Sequence, residues 1–366
     1  MRCSRFIRFG MVTVLALFSV SFSFASELYE KTREIYNSFP CDENSTVELT
    51  NSHGDIFVNT WSKDSVAFKV EIEAYSEKNI NLEQLLDLVE IDFKSYSSFI
   101  IAETKKSKSS SLVDRAALSW GKLSGNKEVR VNYQLYIPEH LEVSIENAFG
   151  DVYVDSYAGE FSLDLAHGDF RVKNLDQVKV IKARYGEVKI DKATGGRFDF
   201  SYVKGAELGE LSDVFIKSTY SEIDVEQMDV LRLESRLDEL YISDLGSISG
   251  KTNLSKLHIR NLRESADLES KYGNLRVDDI ASTAGELKFN GSNTDYSLGL
   301  SADATGSFEL QMTGNKEFTS DTKQLKIQDE NRIDDKTIFY KGRINDSSSG
   351  LKIQLFAKNG DVSIGG

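Results

Sequence analysis

Phe149-Gly150-Asp151-Val152-Tyr153-Val154, His167-Gly168-Asp169-Phe170-Arg171-Val172 and Tyr185-Gly186-Glu187-Val188-Lys189-Ile190 are three copies of one phrase. An aromatic ring precedes glycine, an acid follows, and apolar residues then alternate. Weaker copies stand at Tyr220-Ser221-Glu222-Ile223, Leu237-Asp238-Glu239-Leu240, Leu254-Ser255-Lys256-Leu257 and Tyr272-Gly273-Asn274-Leu275. With Lys204 anchoring an imperfect fourth copy, the glycine positions fall at 150, 168, 186, 204, 221, 238, 255 and 273, a period of 17 to 18 residues. A period this regular marks a repeat architecture, and it is too short for the common helical or propeller repeats. The apolar spacing inside each unit is two, so the units are strands. One short strand follows the anchor, a polar corner closes on an apolar residue, and a second strand returns. A unit with one apolar face is stable only when stacked on its neighbours. The phrase therefore predicts an all-β fold, a parallel β-solenoid of 17–18-residue coils.

Four residues before successive turns, or five at the imperfect copy, lie Asp164, Lys182, Asp199, Lys217, Glu234, Lys251 and Glu269. Their sign alternates at each step, as parallel coils about 4.8 Å apart would require. The one slip, at Val203-Lys204, reads as a bulge. Only Pro40 and Pro138 occur in 366 residues, against roughly 18 at average usage of ~5%. Coils paired on both sides need every N–H, which accounts for the shortage.

Outward from the repeats, Arg2, Arg5 and Arg8 precede an apolar run from Met11 to Phe22 and small residues at Ser23 and Ala25. Residues 1–25 read as a secretory signal peptide. No other run approaches the roughly 20 apolar residues of a membrane-spanning helix, so none is expected in the mature chain. Cys41 would then be the lone cysteine. Residues 26–145 read as a β-rich N-terminal capping module. It carries the turn phrase once, Asn51-Ser52-His53-Gly54-Asp55-Ile56, a strand from Val66 to Tyr75, a short amphipathic helix through Leu82, Leu85, Leu86 and Val89, and a strand from Val129 to Ile137. Residues 146–300 are the regular coils. Residues 301–366 form irregular coils and a cap, with Phe308, Leu310 and Met312 fitting one more coil and Asn359-Gly360-Asp361-Val362 a final copy of the phrase.

These features together, with Ser119-Trp120-Gly121 in the Ser/Lys-rich loop, resemble the bacterial β-strand-repeat family of unknown function known as the "putative adhesin" family, related to head domains of auto-transporter adhesins. The resemblance spans essentially the whole mature chain. It implies an exported β-solenoid of the cell envelope, and it supplies no catalytic residues.

With 44 basic and 58 acidic side chains the chain carries a formal charge of −14, which argues against a nucleic-acid partner. Asp151, Asp169 and Glu187 would form a carboxylate ladder on adjacent coils; a bound calcium ion is one reading, and acids that cap a glycine corner at φ > 0 are the favoured one. Tyr185, Tyr202, Tyr220 and Tyr272 suggest a sugar platform, but their parity assigns them to core packing. His53, His140, His167 and His258 lack ligand spacing for zinc and read as turn residues, so neither metal nor cofactor is expected. The loop from 105 to 127 sets Lys105, Lys106, Lys108, Arg115, Lys122 and Lys127 around Trp120. It is the candidate contact for an envelope protein or glycan. The sequence thus points to an exported, non-catalytic scaffold or adhesin in the periplasm, on the outer surface or secreted. The alternative is a carbohydrate-active enzyme, a polysaccharide lyase or glycosidase, on the same scaffold.

Overall fold

A computed structural model of the chain describes residues 28–96, 98–107, 127–314, 316–320 and 323–365. The segment read as a signal peptide lies outside these residues. The described chain is all-β with one short helix, Leu82–Leu86.

Alternation of apolar and polar residues makes the strands, and stacking sets their partners. Phe170–Arg184 pairs in parallel with Val152–Ala166, Phe170 beside Val152 and Ala183 beside Leu165. Val188 follows beside Phe170, Ala206 beside Val188, Ile223 beside Ala206, Leu240 beside Ile223 and Leu257 beside Leu240. These are the spacings of the turn phrase. Strands Phe170–Arg184 and Glu222–Arg236 each run through the mid-coil bend and serve both sides of the stack. Between them one side is made by Glu187–Thr194 and Gly205–Ser212, the other by Arg197–Ser201 and Val214–Thr219. Parallel strands thereby close into a ring around Phe170, Phe198, Phe200 and their neighbours, all fully buried. The shorter pairs arise where Gly195, Gly196 and Asp213 take positive φ at the bend and interrupt the strand.

The alternating charges lie in direct register, Lys182 between Asp164 and Asp199, Lys217 between Asp199 and Glu234, Lys251 between Glu234 and Glu269. Their ion pairs are long, 3.7 Å for Lys182–Asp164 and 3.5 Å for Lys217–Glu234. Asp164 and Asp199 are held more closely by Arg184 and Arg197, each at 2.7 Å. Exposed pairs of this kind contribute little to stability, so the column acts on register.

Several expectations are corrected. At Gly54 and Gly150 the glycine itself takes positive φ, 112° and 132°, but from the next corner on the positive φ falls on the residue before the anchor, or two before it at Lys204, with φ of 58° at His167, 59° at Tyr185, 58° at Tyr202 and 54° at Tyr220. A left-handed residue interrupts the two-residue parity, so these side chains point outward: Tyr185 is 49% exposed, Tyr202 44%, Tyr220 49% and Tyr272 57%. The slip is not a bulge in a strand. It is an extra residue in the corner between Arg197–Ser201 and Gly205–Ser212, with Tyr202 keeping its place in the corner column and Val203 turned fully inward.

The regular period also ends earlier than residue 300. Leu287 lies beside Ala266 and Tyr296 beside Leu275, a coil of 21 residues. Finally, Gly306–Thr313 is not the next coil. Leu351–Lys358 and Val362–Ile364 stack on Glu286–Leu300, Leu287 beside Ile353 and Tyr296 beside Val362. Gly306–Thr313 comes after them, followed by the antiparallel strands Thr337–Ile344 and Leu325–Arg332.

At the other end, Thr46–Asn51 and Ile56–Trp61 form a coil against 142–166, Val47 beside Val143 and Ile56 beside Val152. Phe99–Lys106 and Lys127–Pro138 pair with its other edge. Ser65–Ser76, Tyr29–Pro40 and Val89–Ser95 close the end as antiparallel strands. Asn81 caps the helix by accepting from Glu83 N–H, and Leu82, Leu85 and Leu86 are buried; Val89 belongs to the strand that follows. Both prolines are the last residues of their strands, where a missing donor costs least. One apolar core runs through every part.

Candidate functional site: the outward face and the ringed corner

The corners carry a continuous ladder of rings. His53 stacks on Phe149 at 4.9 Å, Phe149 on His167 and His167 on Tyr185 at 4.8 Å, Tyr185 on Tyr202 at 5.1 Å and Tyr202 on Tyr220 at 5.2 Å. Within the ladder the rings of Phe149, His167 and Tyr185 are within 3° of parallel. Both faces of each interior ring are occupied by its neighbours. A sugar platform needs an open face, so the ladder is not one. It is an edge-on stripe that ties coil to coil.

The acid after each corner has a backbone task. Asp55 Oδ1 accepts the N–H of Asp151 at 2.8 Å, Asp151 Oδ1 that of Asp169 at 2.8 Å, and Asp169 Oδ1 that of Glu187 at 2.9 Å. The device recurs at the far end, where Asp295 Oδ1 accepts from Asp361 N–H at 2.9 Å. The carboxylate ladder is a set of staples between coils. Among the described residues no group of three or more His, Cys, Asp or Glu is gathered as a metal site would be. His258 Nε2 lies 2.7 Å from Asp278, an exposed pair. Burial pushes the Asp278 carboxyl up, but hydrogen bonds from Arg276 and His258 prevail and hold it below its ordinary range.

The loop residues are only partly placed. Lys108, Arg115, Trp120 and Lys122 lie outside the described residues. Lys105 sits on Phe99–Lys106 with its ammonium 2.6 Å from Asp92 and 2.8 Å from Glu103; both hydrogen bonds push its pKa up. Lys106 ends that strand beside Val89, and Lys127 opens the next beside Ser76. Lys105 is engaged by carboxylates of its own hairpin.

A different surface gathers the concave, chemically varied side chains. On the strand after each corner, the position that follows the first buried residue points outward. Register places Phe57, Tyr153, Arg171, Lys189, Glu207, Asp224, Tyr241 and His258 side by side in that order. Two open depressions lie along this column. One of about 370 Å³ is lined by Phe57, Tyr153, Arg171, Lys173 and Lys189. The other, of about 320 Å³, is lined by Lys189, Glu207, Asp224, Glu226 and Tyr241. They share Lys189 and Asp191 and so form one groove.

Phe57 stacks on Tyr153 at 5.0 Å. The Tyr153 hydroxyl donates to Asp151 at 2.7 Å; this bond, with burial, pushes the phenol up to about 12. Lys189 Nζ is 2.7 Å from Glu207, whose carboxyl it holds below the ordinary range. Lys173 pairs with Asp155. Among the described residues, Lys271 holds the Glu269 carboxyl and Lys341 that of Glu309 below the ordinary range in the same way. Sequence reasoning missed this column, although aligning the residue after Val152, Phe170 and Val188 across the repeats would have listed it.

No family model matches the chain, and no curated protein matches it. Among solved structures it is similar to a "putative cell adhesion protein" from Clostridium sporogenes, at 10% identity and TM-score 0.20, covering 92% of this chain and 99% of that one. It is similar to a "putative adhesin" from Bacteroides fragilis, at 13% identity and TM-score 0.27, with 73% and 97% covered. A "putative adhesin" from Parabacteroides merdae is similar at 11% identity and TM-score 0.25, with 72% and 95% covered. These three solved structures are described as a "putative cell adhesion protein" and two "putative adhesins".

Proposed function

We propose that this chain is an exported, non-catalytic β-solenoid of the cell envelope, an adhesin-like interaction scaffold that presents the groove from Phe57 to His258 to its partner. In this reading residues 1–25 are the leader, 26–145 cap the stack and lend Phe57 to the groove, 146–300 carry the rest of the working face and 301–366 close the other end. The 17- and 18-residue parallel register supports the solenoid, and the Arg-rich, then apolar, leader supports export to the periplasm, the outer surface or the medium. One observation carries the function: an extended outward groove with aromatic, cationic and anionic stretches in sequence, built on rigid strands. Rigid, chemically varied columns suit recognition of an extended partner, an envelope glycan or protein.

A glycan array and a reducing-sugar release assay on the exported chain test this. Binding without product is expected, and R171E/K189E should weaken it about tenfold or more by reversing the cationic stretch. Release of sugar would replace the proposal with the polysaccharide lyase or glycosidase.

A further inference from the structure

The charges on the outward column have an order that reverses on itself. From Phe57 to His258 the residues run ring, tyrosine, cation, cation, anion, anion, tyrosine, ring. Arg171, Lys189, Glu207 and Asp224 are exposed, and the midpoint falls between Lys189 and Glu207. We propose that this face is a self-complementary interface whose occupant is a second copy of the chain with its stack running the opposite way; the proposal rests on reading the groove as the contact surface.

A two-fold axis lying in the face, along the strands, reverses the stack and keeps each column opposite itself. Lys189 then meets Glu207 of the second copy, Arg171 meets Asp224, and Tyr153 meets Tyr241, each pairing occurring twice as an isologous contact demands. Two residues further along each strand, Lys173 meets Glu226. The two depressions lie on either side of the same midpoint, one lined by Tyr153 and the other by Tyr241, so each receives what the other presents. The column two residues earlier runs Asp151, Asp169, Glu187, Gly205, Glu222, Glu239 and Lys256; it is acidic on both sides of the midpoint, broken only by Gly205 and Lys256, and its charge does not reverse there. It sits at the corner and confines the contact to the two columns beyond it.

Eight strands at ~4.8 Å spacing span about 34 Å. Two columns of that length cover roughly 400 Å² per copy, half of the ~800 Å² per partner of a standard interface. The pairing is therefore weak and salt-sensitive, a reversible dimer at low ionic strength that gains avidity where many copies are held together. Antiparallel stacks are the arrangement that copies held on two facing surfaces would adopt.

Sedimentation velocity on the exported chain at low ionic strength tests the proposal. The wild type should sediment as a monomer–dimer equilibrium and shift to monomer when salt is raised to about 0.5 M, where screening acts within a few ångströms. R171E/K189E makes the central stretch wholly acidic, and E207K/D224K makes it wholly basic. Each alone should be monomeric with an unchanged circular dichroism spectrum, and an equimolar mixture should restore the dimer. Wild type that stays monomeric at low salt, variants that still dimerise, or a mixture that does not would each overturn it. If the wild type is monomeric while R171E/K189E loses binding on the glycan array, the groove stands as the contact surface and the second copy is the wrong partner. If neither readout moves, both readings fail.

Discussion

At the scale of single residues, the corner glycines answer to space more than to torsion. A Cβ on Gly168 would lie 2.0 Å from the carbonyl oxygen of Gly150, and one on Gly186 2.0 Å from that of Gly168. Coils at sheet spacing leave no room there. Gly168→Ala should cost at least about 2 kcal/mol. Gly205→Ala should be tolerated, because its nearest neighbour is a side-chain carbon of Glu187 at 3.8 Å. Urea midpoints of the two variants check the contrast. In three of the weaker copies a polar residue turned inward, Ser221, Asp238 or Ser255, replaces glycine. Asp238 is 2% exposed and accepts from the Ser218 hydroxyl at 2.6 Å, the Ser235 hydroxyl at 2.7 Å, and the N–H groups of Ser221 and Arg236, each at 2.8 Å. Asp238→Ala strands these donors in the interior, so a loss of about 3 kcal/mol is expected from chemical denaturation. The small residues before the corners, such as Ser218 and Ser235, thus serve this network.

At the scale of the element, the ring ladder offsets the torsional cost of its own corners. Tyr202 takes φ of 58° and lies between Tyr185 and Tyr220. An L-residue there costs about 1–2 kcal/mol, and ring contacts return about 0.5–1.5 kcal/mol per pair. Tyr202→Ala loses the contacts and keeps the strain, whereas Tyr202→Gly loses both. The glycine variant should therefore be the more stable by about 1 kcal/mol, the reverse of the order inside a strand. Thermal melting of the pair decides it. The elements also carry an alkaline limit. The phenols of Tyr75, Tyr153 and Tyr296 are each pushed up to about 12, Tyr75 and Tyr296 chiefly by burial and Tyr153 chiefly by its bond to Asp151. A phenol whose pKa is raised by folding contributes stability that is complete below its unfolded value near 10. That contribution fades as pH rises through about 12. Tyrosinate absorbance should show a class of phenols that titrates only as the sheet unfolds.

At the scale of the whole molecule, chain order and stacking order part company after Leu300. Leu351–Lys358 lies between Glu286–Leu300 and Gly306–Thr313, so a segment near the end of the chain is an interior strand. Removing residues 351–366 takes the neighbour from Phe289, Leu310 and Met312, all buried. Hydrogen exchange should then show protection lost throughout 306–344 while 152–260 keeps its own. A truncated chain that retained protection in 306–313 would contradict the stacking order. The outermost strands, Tyr29–Pro40 at one end and Leu325–Arg332 at the other, carry charge on both faces, and the latter also carries a register shift at Ile327/Asp329. Such edges resist adding further strands.

The sequence alone determined the strands, the parallel register and the coil length, because an 18- or 17-residue repeat with period-two alternation has one way to bury its apolar residues. It placed the charge column and the reason for two prolines with the same security. Three things were left to the tertiary structure. A left-handed corner changes side-chain parity without any mark in composition, so the tyrosines moved from core to surface. The last coil pairs across 66 residues, Leu287 with Ile353, a contact no local pattern encodes. The groove emerged only when residues 17, 18 or 96 positions apart, such as Glu207, Lys189, Tyr153 and Phe57, stood in one column. Stacking converts sequence distance into a single strand spacing, and it is that conversion that turns scattered charges into a surface.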